Sequence, residues 1–145
     1  MSEFKFTHPI EIRYDDLDPQ GHLNNARYLT YFEQARIFYL EKIGVFTPGQ
    51  SFLDIGVILA DIHISYHLPV HFAMQVCVGV RTSRLGNKSM TVEQAVIETA
   101  SGRLMATGEV VMVAYDYYQD RSIPIPENWR ESIQKFEGLD GIKKP

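Results

Sequence analysis

A chain of 145 residues that is 45% hydrophobic is long enough for one ordinary domain with a real core and too short for two of usual size. A formal net charge of −4 without a basic stripe argues against nucleic acid as the main partner, because phosphate backbones demand clustered Lys and Arg. The lone Cys77 excludes an internal disulfide, and no apolar run has transmembrane length or the form of a signal peptide, so a cytoplasmic setting without a membrane span is expected.

Residues 8–14 alternate, with Ile10, Ile12 and Tyr14 on one side and Glu11 and Arg13 on the other, which predicts a half-buried strand. It delivers the Asp-rich segment 14–25, where Asp18 stands before Pro19 and Gly21 in a tight turn leading into a helix. A carboxylate there can serve as base or nucleophile, and the free N–H groups and partial positive charge of a helix start can polarise a carbonyl beside it. The same Asp18 also suits plain turn-making and capping. A calcium loop beginning at Asp16 fails, because the position needing a bidentate Glu holds Arg27; no metal is expected. Its neighbours Asp15 and Asp16 are expected to be solvated or structural, Asp16 rather than Asp15 being the one to point inward beside Leu17. For His22, two readings stand: a residue that orients the Asp18 loop by hydrogen bonding, or a surface residue at the helix start.

From residue 25 to about 44 the period changes to helical. Tyr28, Phe32, Ala35, Tyr39 and Ile43 share one stripe, with Arg27, Thr30, Gln34 and Glu41 opposite. Asn24 or Asn25 suits the N-cap, and Gly44 the stop. Arg36 falls toward the apolar side and requires a partner, for which Glu33, three residues away, is the expected one. Tyr28, Tyr31 and Phe32 can line an apolar pocket, or serve as core.

Residues 57–67 alternate again, with Ile58, Ala60, Ile62, Ile64 and Tyr66 on one side. Phe72, Met74, Val76, Val78 and Val80 then share a face, a turn at 85–88 precedes a run over 89–99, and a turn at 100–103 leads into a run over 104–115. A strand, a long helix and then four strands in succession predict an α+β layout, an antiparallel meander wrapped around one helix. His63, His67 and His71 are spaced by four, which on a strand separates them by ~13 Å, so a shared ion is not expected. Pro124 and Pro126 end strand structure, and Trp129, Ile133 and Phe136 sit at the spacing of a short packing helix. One domain is expected over residues 1–137, with a flexible polar tail at 138–145.

The run Asp18-Pro19 with Gly21, then His22-Leu23-Asn24-Asn25, and Tyr31-Phe32-Glu33-x-Ala35-Arg36 on the helix, resembles the hot-dog acyl-CoA thioesterases of the 4-hydroxybenzoyl-CoA thioesterase type, with later patterns extending the likeness to about Pro126. That resemblance implies a hot-dog fold and hydrolysis of an acyl-CoA without a cofactor. Asp18 aligns with the family's catalytic carboxylate. Asn25, where related bacterial enzymes often carry His, aligns with the residue whose backbone N–H holds the thioester oxygen. The resemblance also implies nucleotide contacts from about the turn that supplies Arg84 and Lys88, a charged hairpin on its own merits. It further implies a homodimer, or a homotetramer made of two, whose active sites use both subunits. The alternative from another class is a non-catalytic acyl-thioester or lipid-binding module that keeps the fold and pocket. A hydratase would require a His with an acidic partner, and the sequence offers no convincing pair.

Overall fold

The computed structural model describes residues 4–139. Its elements in chain order are β1 (Phe6–Ile10), α1 (Asn25–Lys42), β2 (Val57–Tyr66), β3 (Val76–Leu85), β4 (Ser89–Glu98), β5 (Leu104–Asp116), the two-residue β6 (Arg121–Ser122) and α2 (Glu127–Glu137). All pairings are antiparallel, in the spatial order β1-β3-β4-β5-β2 with β6 on the end of β5. This is the expected hot-dog arrangement, a sheet wrapped around one long helix. Among the described residues no helix is long and apolar enough to cross a membrane.

The helical stripe drives the packing. Tyr28, Phe32, Ala35, Tyr39 and Ile43 are all buried, in one cluster with Val78 and Val80 of β3, Val92 of β4, and Val110 and Met112 of β5. The close approach of helix to sheet depends on Gly108. A Cβ there would lie 2.5 Å from Cε2 of Phe32. Asn24 is the N-cap, its side chain accepting the Ala26 N–H at 2.9 Å, and Gly44 follows the helix end with a φ of 86°.

Several expectations about the strands are corrected. The first strand ends at Ile10; residues Tyr14–Asp16 form a 3-10 turn held by the Arg13 N–H on Asp16 Oδ2 at 2.9 Å, and Tyr14 is 81% exposed. Local hydrogen bonding to a buried carboxylate outweighs continued alternation there. The run at 57–66 does not pair with its successor: β2 crosses to β5, so only β3, β4 and β5 form a meander. A bulge between Leu59 and Asp61 shifts the phase of β2, so that Val57, Ile62 and Ile64 pack on the core while Ile58 is 39% exposed. Phe72 lies outside β3 and is 54% exposed, because Ala73 takes a left-handed φ of 66° and breaks the alternation. Of the tail expected at 138–145, Gly138 caps α2 and Leu139 packs against the core; residues 140–145 lie outside the described ones.

Candidate active site

Leu17 and Leu23 bridge each other, and between them the chain closes a loop on Asp18. The Asp18 N–H donates to His22 O at 2.8 Å, and Gly21 N–H donates to Asp18 O at 3.0 Å. Gly21 holds a φ of 80°, the left-handed conformation this turn requires. Asp18 Oδ1 accepts the backbone N–H groups of Gln20 at 2.9 Å and His22 at 3.1 Å. The loop is then tied to the rest of the fold by Leu23 N–H on Val70 O at 2.7 Å and Asn24 N–H on Asp16 O at 2.8 Å. The two oxygens of this carboxylate are used unequally. Oδ1 organises the turn, while Oδ2 accepts no hydrogen bond among the described residues.

The start of α1 faces the same place. Asn24 takes two of the helix's first N–H groups, that of Ala26 through its side chain and that of Arg27 through its carbonyl at 2.9 Å. The N–H of Asn25 has no acceptor among the described residues, so it is the open donor at the positive end of an 18-residue helix. Asp18, Asn25, His22 and Tyr28 line one cleft of about 340 Å³, closed on its other side by Tyr66, His67, Leu68 and Pro69.

Tyr28 floors this cleft at 3% exposure. Burial pushes its phenol above the ordinary value, with the charges of Tyr66 and Asp18 adding to the shift and a hydrogen bond from the Val70 backbone opposing it. Near neutral pH it is therefore an uncharged wall beside the carboxylate. Its ring meets Tyr66 edge-on at 4.9 Å, and the Tyr66 hydroxyl donates to Asn25 O at 3.2 Å, which ties the end of β2 to the helix start.

His22 joins the site through its backbone bond to Asp18 and packs its ring edge-on against His71 at 4.9 Å. His67 bonds Thr107 Oγ1 at 2.8 Å through Nε2, and His63 lies 3.5 Å from Ser65 Oγ. Among the described residues no group of three or more His, Cys, Asp or Glu could hold a metal ion.

Asp16 is the structural carboxylate. It is 4% exposed, accepts the Tyr31 hydroxyl, and lies 3.5 Å from Arg27 Nε. Arg36 corrects an expectation: its hydrogen bond goes to Gln94 Oε1 at 3.0 Å, and Gln94 Nε2 in turn donates to Phe32 O at 3.0 Å. Glu33 is exposed and acts on Arg36 through its charge, while the buried Arg36 side chain reaches Gln94 on the sheet. Gln94 reads as one residue of an alternating strand, and nothing in its local pattern marks it as the partner of a buried cation.

Arg84 and Lys88 stand apart from Asp18 within the chain. Asp18 lies with Val70 near the start of β3, whereas the Gly86–Lys88 turn follows its end, ten residues or about 30 Å away at ~3.3 Å per residue. The turn borders its own recess of about 370 Å³, lined by Arg84, Gly86, Asn87, Lys88, Ser89 and Thr91. Sequence reasoning missed Tyr66, His67, Leu68 and Pro69 as cleft walls, because only the pairing of β2 with β5 carries them to the start of α1.

The family model of the thioesterase-like superfamily matches residues 12–133. The chain is 25% identical over 127 residues to the long-chain acyl-CoA thioesterase FadM of Escherichia coli, covering 88% of this chain and 96% of that protein. It is 27% identical over 116 residues to the acyl-CoA thioesterase YbgC of Haemophilus influenzae, covering 78% and 84%. Among solved structures it resembles a Thermus thermophilus thioesterase complexed with coenzyme A and Zn, with a TM-score of 0.83, 36% identity, and 97% and 100% of the two chains covered.

Proposed function

The chain belongs to the thioesterase-like superfamily and is a thioester hydrolase, and on that premise we propose that it hydrolyses an acyl-CoA to free acid and coenzyme A at Asp18. One observation carries the reading: the open Oδ2 of Asp18 and the open N–H of Asn25 share a cleft at the start of α1. The thioester carbonyl accepts the Asn25 N–H, which together with the helix dipole stabilises the oxyanion that develops when the carbon is attacked. Asp18 Oδ2 either takes a proton from the attacking water or attacks the carbon itself, with water then cleaving the resulting anhydride. The C–S bond breaks in both routes, and the thiolate leaves as coenzyme A. His22 holds the loop, and Tyr28 keeps its floor apolar and neutral.

The separation of Arg84 and Lys88 from Asp18 supports a site built from two copies. Among the described residues β2 is an edge strand, paired with β5 alone, and it exposes Ile58, Leu59 and Tyr66. Antiparallel pairing of two β2 edges about a two-fold axis reverses the second copy end for end. Its Gly86–Lys88 turn then comes to the same end as the first copy's Asp18, two strands in from the joint, or ~10 Å. In this arrangement the cations of one subunit hold the phosphates of the coenzyme A whose thioester lies in the other.

Thiol release from a panel of acyl-CoA substrates tests the reading. Turnover on at least one acyl-CoA, lost when Asp18 is changed to Asn, is the expected result. Saturable binding of acyl-CoA with no thiol release on any member would make the protein a binding module instead.

A further inference from the structure

Arg130 is a buried cation that the reaction above does not use. It sits in the first turns of α2 at 3% exposure, and its Nη2 donates to Gly86 O at 2.8 Å and Asn87 O at 3.3 Å. Its Nε and Nη1 are buried without a hydrogen-bond partner among the described residues. A tether for a hairpin needs only a neutral donor, so a whole guanidinium held out of water at such cost calls for an account of what its charge does.

The account lies in the peptide planes it grips. No peptide bond among the described residues is cis, and in a trans peptide the C=O and N–H point in opposite directions. Gly86 C=O shares its plane with the N–H of Asn87, and Asn87 C=O shares its plane with the N–H of Lys88. By drawing both carbonyls inward, Arg130 turns both N–H groups outward, and neither has an acceptor among the described residues. Ile125 N–H on Asn87 O at 2.9 Å holds the second of these planes from the sheet side, and Ala114 N–H on Lys88 O at 2.8 Å fixes the plane that follows it. The recess bordered by Arg84 and Lys88 thus gains adjacent backbone donors, polarised by a positive charge behind them, in the manner of an anion-binding nest.

We infer that Arg130 is a positioning residue that turns the Asn87 and Lys88 N–H groups outward, so that with Arg84 and Lys88 they form the subsite for the nucleotide phosphates of coenzyme A. The inference rests on the reading that this turn holds those phosphates, and it adds the device that aims the backbone at them.

Arg130→Met, Arg130→Lys and the pair Arg84→Ala with Lys88→Ala are compared on an acyl-CoA and on the matching acyl-pantetheine, which lacks the nucleotide phosphates. Arg130→Met should raise KM for the acyl-CoA by about tenfold, the scale of one charge-assisted hydrogen bond, with kcat within about twofold and KM for the pantetheine ester unmoved. Arg130→Lys, which keeps the charge but grips fewer carbonyls, should fall between. If Arg84→Ala with Lys88→Ala raises KM for the acyl-CoA alone while Arg130→Met affects both esters equally or neither, the role of Arg130 is refuted and the phosphate reading survives. If the double variant spares KM for the acyl-CoA, the phosphate reading itself fails and the inference falls with it. Amide NMR of the wild-type protein decides the matter even where a variant does not fold. The Asn87 and Lys88 N–H resonances should move on titration with coenzyme A and stay in place with pantetheine; resonances unmoved by coenzyme A would overturn the inference.

Discussion

Asp18 Oδ1 accepts the backbone N–H of His22 at 3.1 Å, so the carboxylate offered for chemistry is also the group that closes its own loop. Loss of charge and loss of shape are therefore separable at this residue. Asp18→Asn keeps an acceptor for the Gln20 and His22 N–H groups but removes the base or nucleophile. It should reduce kcat by ~100-fold or more, about 2.7 kcal/mol of transition-state stabilisation, at nearly unchanged Tm. Asp18→Ala should lose as much activity and also lower stability by about 1 kcal/mol, as removal of a capping side chain does. Steady-state kinetics and thermal melts on both variants check this, and an Asp18→Asn enzyme near wild-type rate would rule the mechanism out.

Gly108 gives Phe32 its seat on the sheet. Gly108→Ala places a methyl 2.5 Å from Cε2 of a fully buried ring and 3.2 Å from His63 O, so neither neighbour yields freely. Overpacking of this kind costs roughly 1–3 kcal/mol, to be read from the denaturation midpoint. A variant as stable as wild type would show that helix and sheet adjust at that contact.

Alkaline pH should destabilise the fold through Tyr39. Burial, and next its hydrogen bond to Glu137, hold this phenol far above the ordinary 10.0, so the folded chain keeps a proton that the unfolded chain gives up. The folded state binds more protons above that value, and stability falls as pH rises, by up to about 1.4 kcal/mol per pH unit for one such group. Below it the contribution is fully present. Tyr39→Phe should lower stability at neutral pH, since Thr82 N–H and Glu137 lose a partner, yet flatten the alkaline slope by about one proton. Denaturant melts between neutral and alkaline pH on both proteins separate the two effects.

The open edge of β2 predicts a dimer or a larger assembly in solution. Sedimentation or light scattering should give at least twice the 16.6 kDa chain mass at micromolar concentration. Ile62→Pro removes a backbone donor and stiffens the middle of β2, and it should weaken both assembly and turnover. A fully active monomer would refute the two-copy site.

The sequence alone carried the elements whose signals are local. The stripe from Tyr28 to Ile43 marks α1, the Asn24 cap and Gly44 stop mark its ends, and the turns at 85–88 and 100–103 mark the meander. The turn at Asp18 was also legible, because an Asp before Pro19 and Gly21 is local turn chemistry. The Glu33 partner for Arg36 was not, since helical spacing reports which residues are near along one helix and says nothing of Gln94 on a strand 58 residues away. The bulge that shifts β2 was hidden for a similar reason: alternation reads a strand as if it were regular. Tertiary structure alone decided that β2 crosses to β5, carrying Tyr66 and His67 to the helix start, and that Arg84 and Lys88 lie at the far end from Asp18. Both depend on strand pairing between distant segments, whose free energy comes from contacts across the sheet and is absent from any local run of residues.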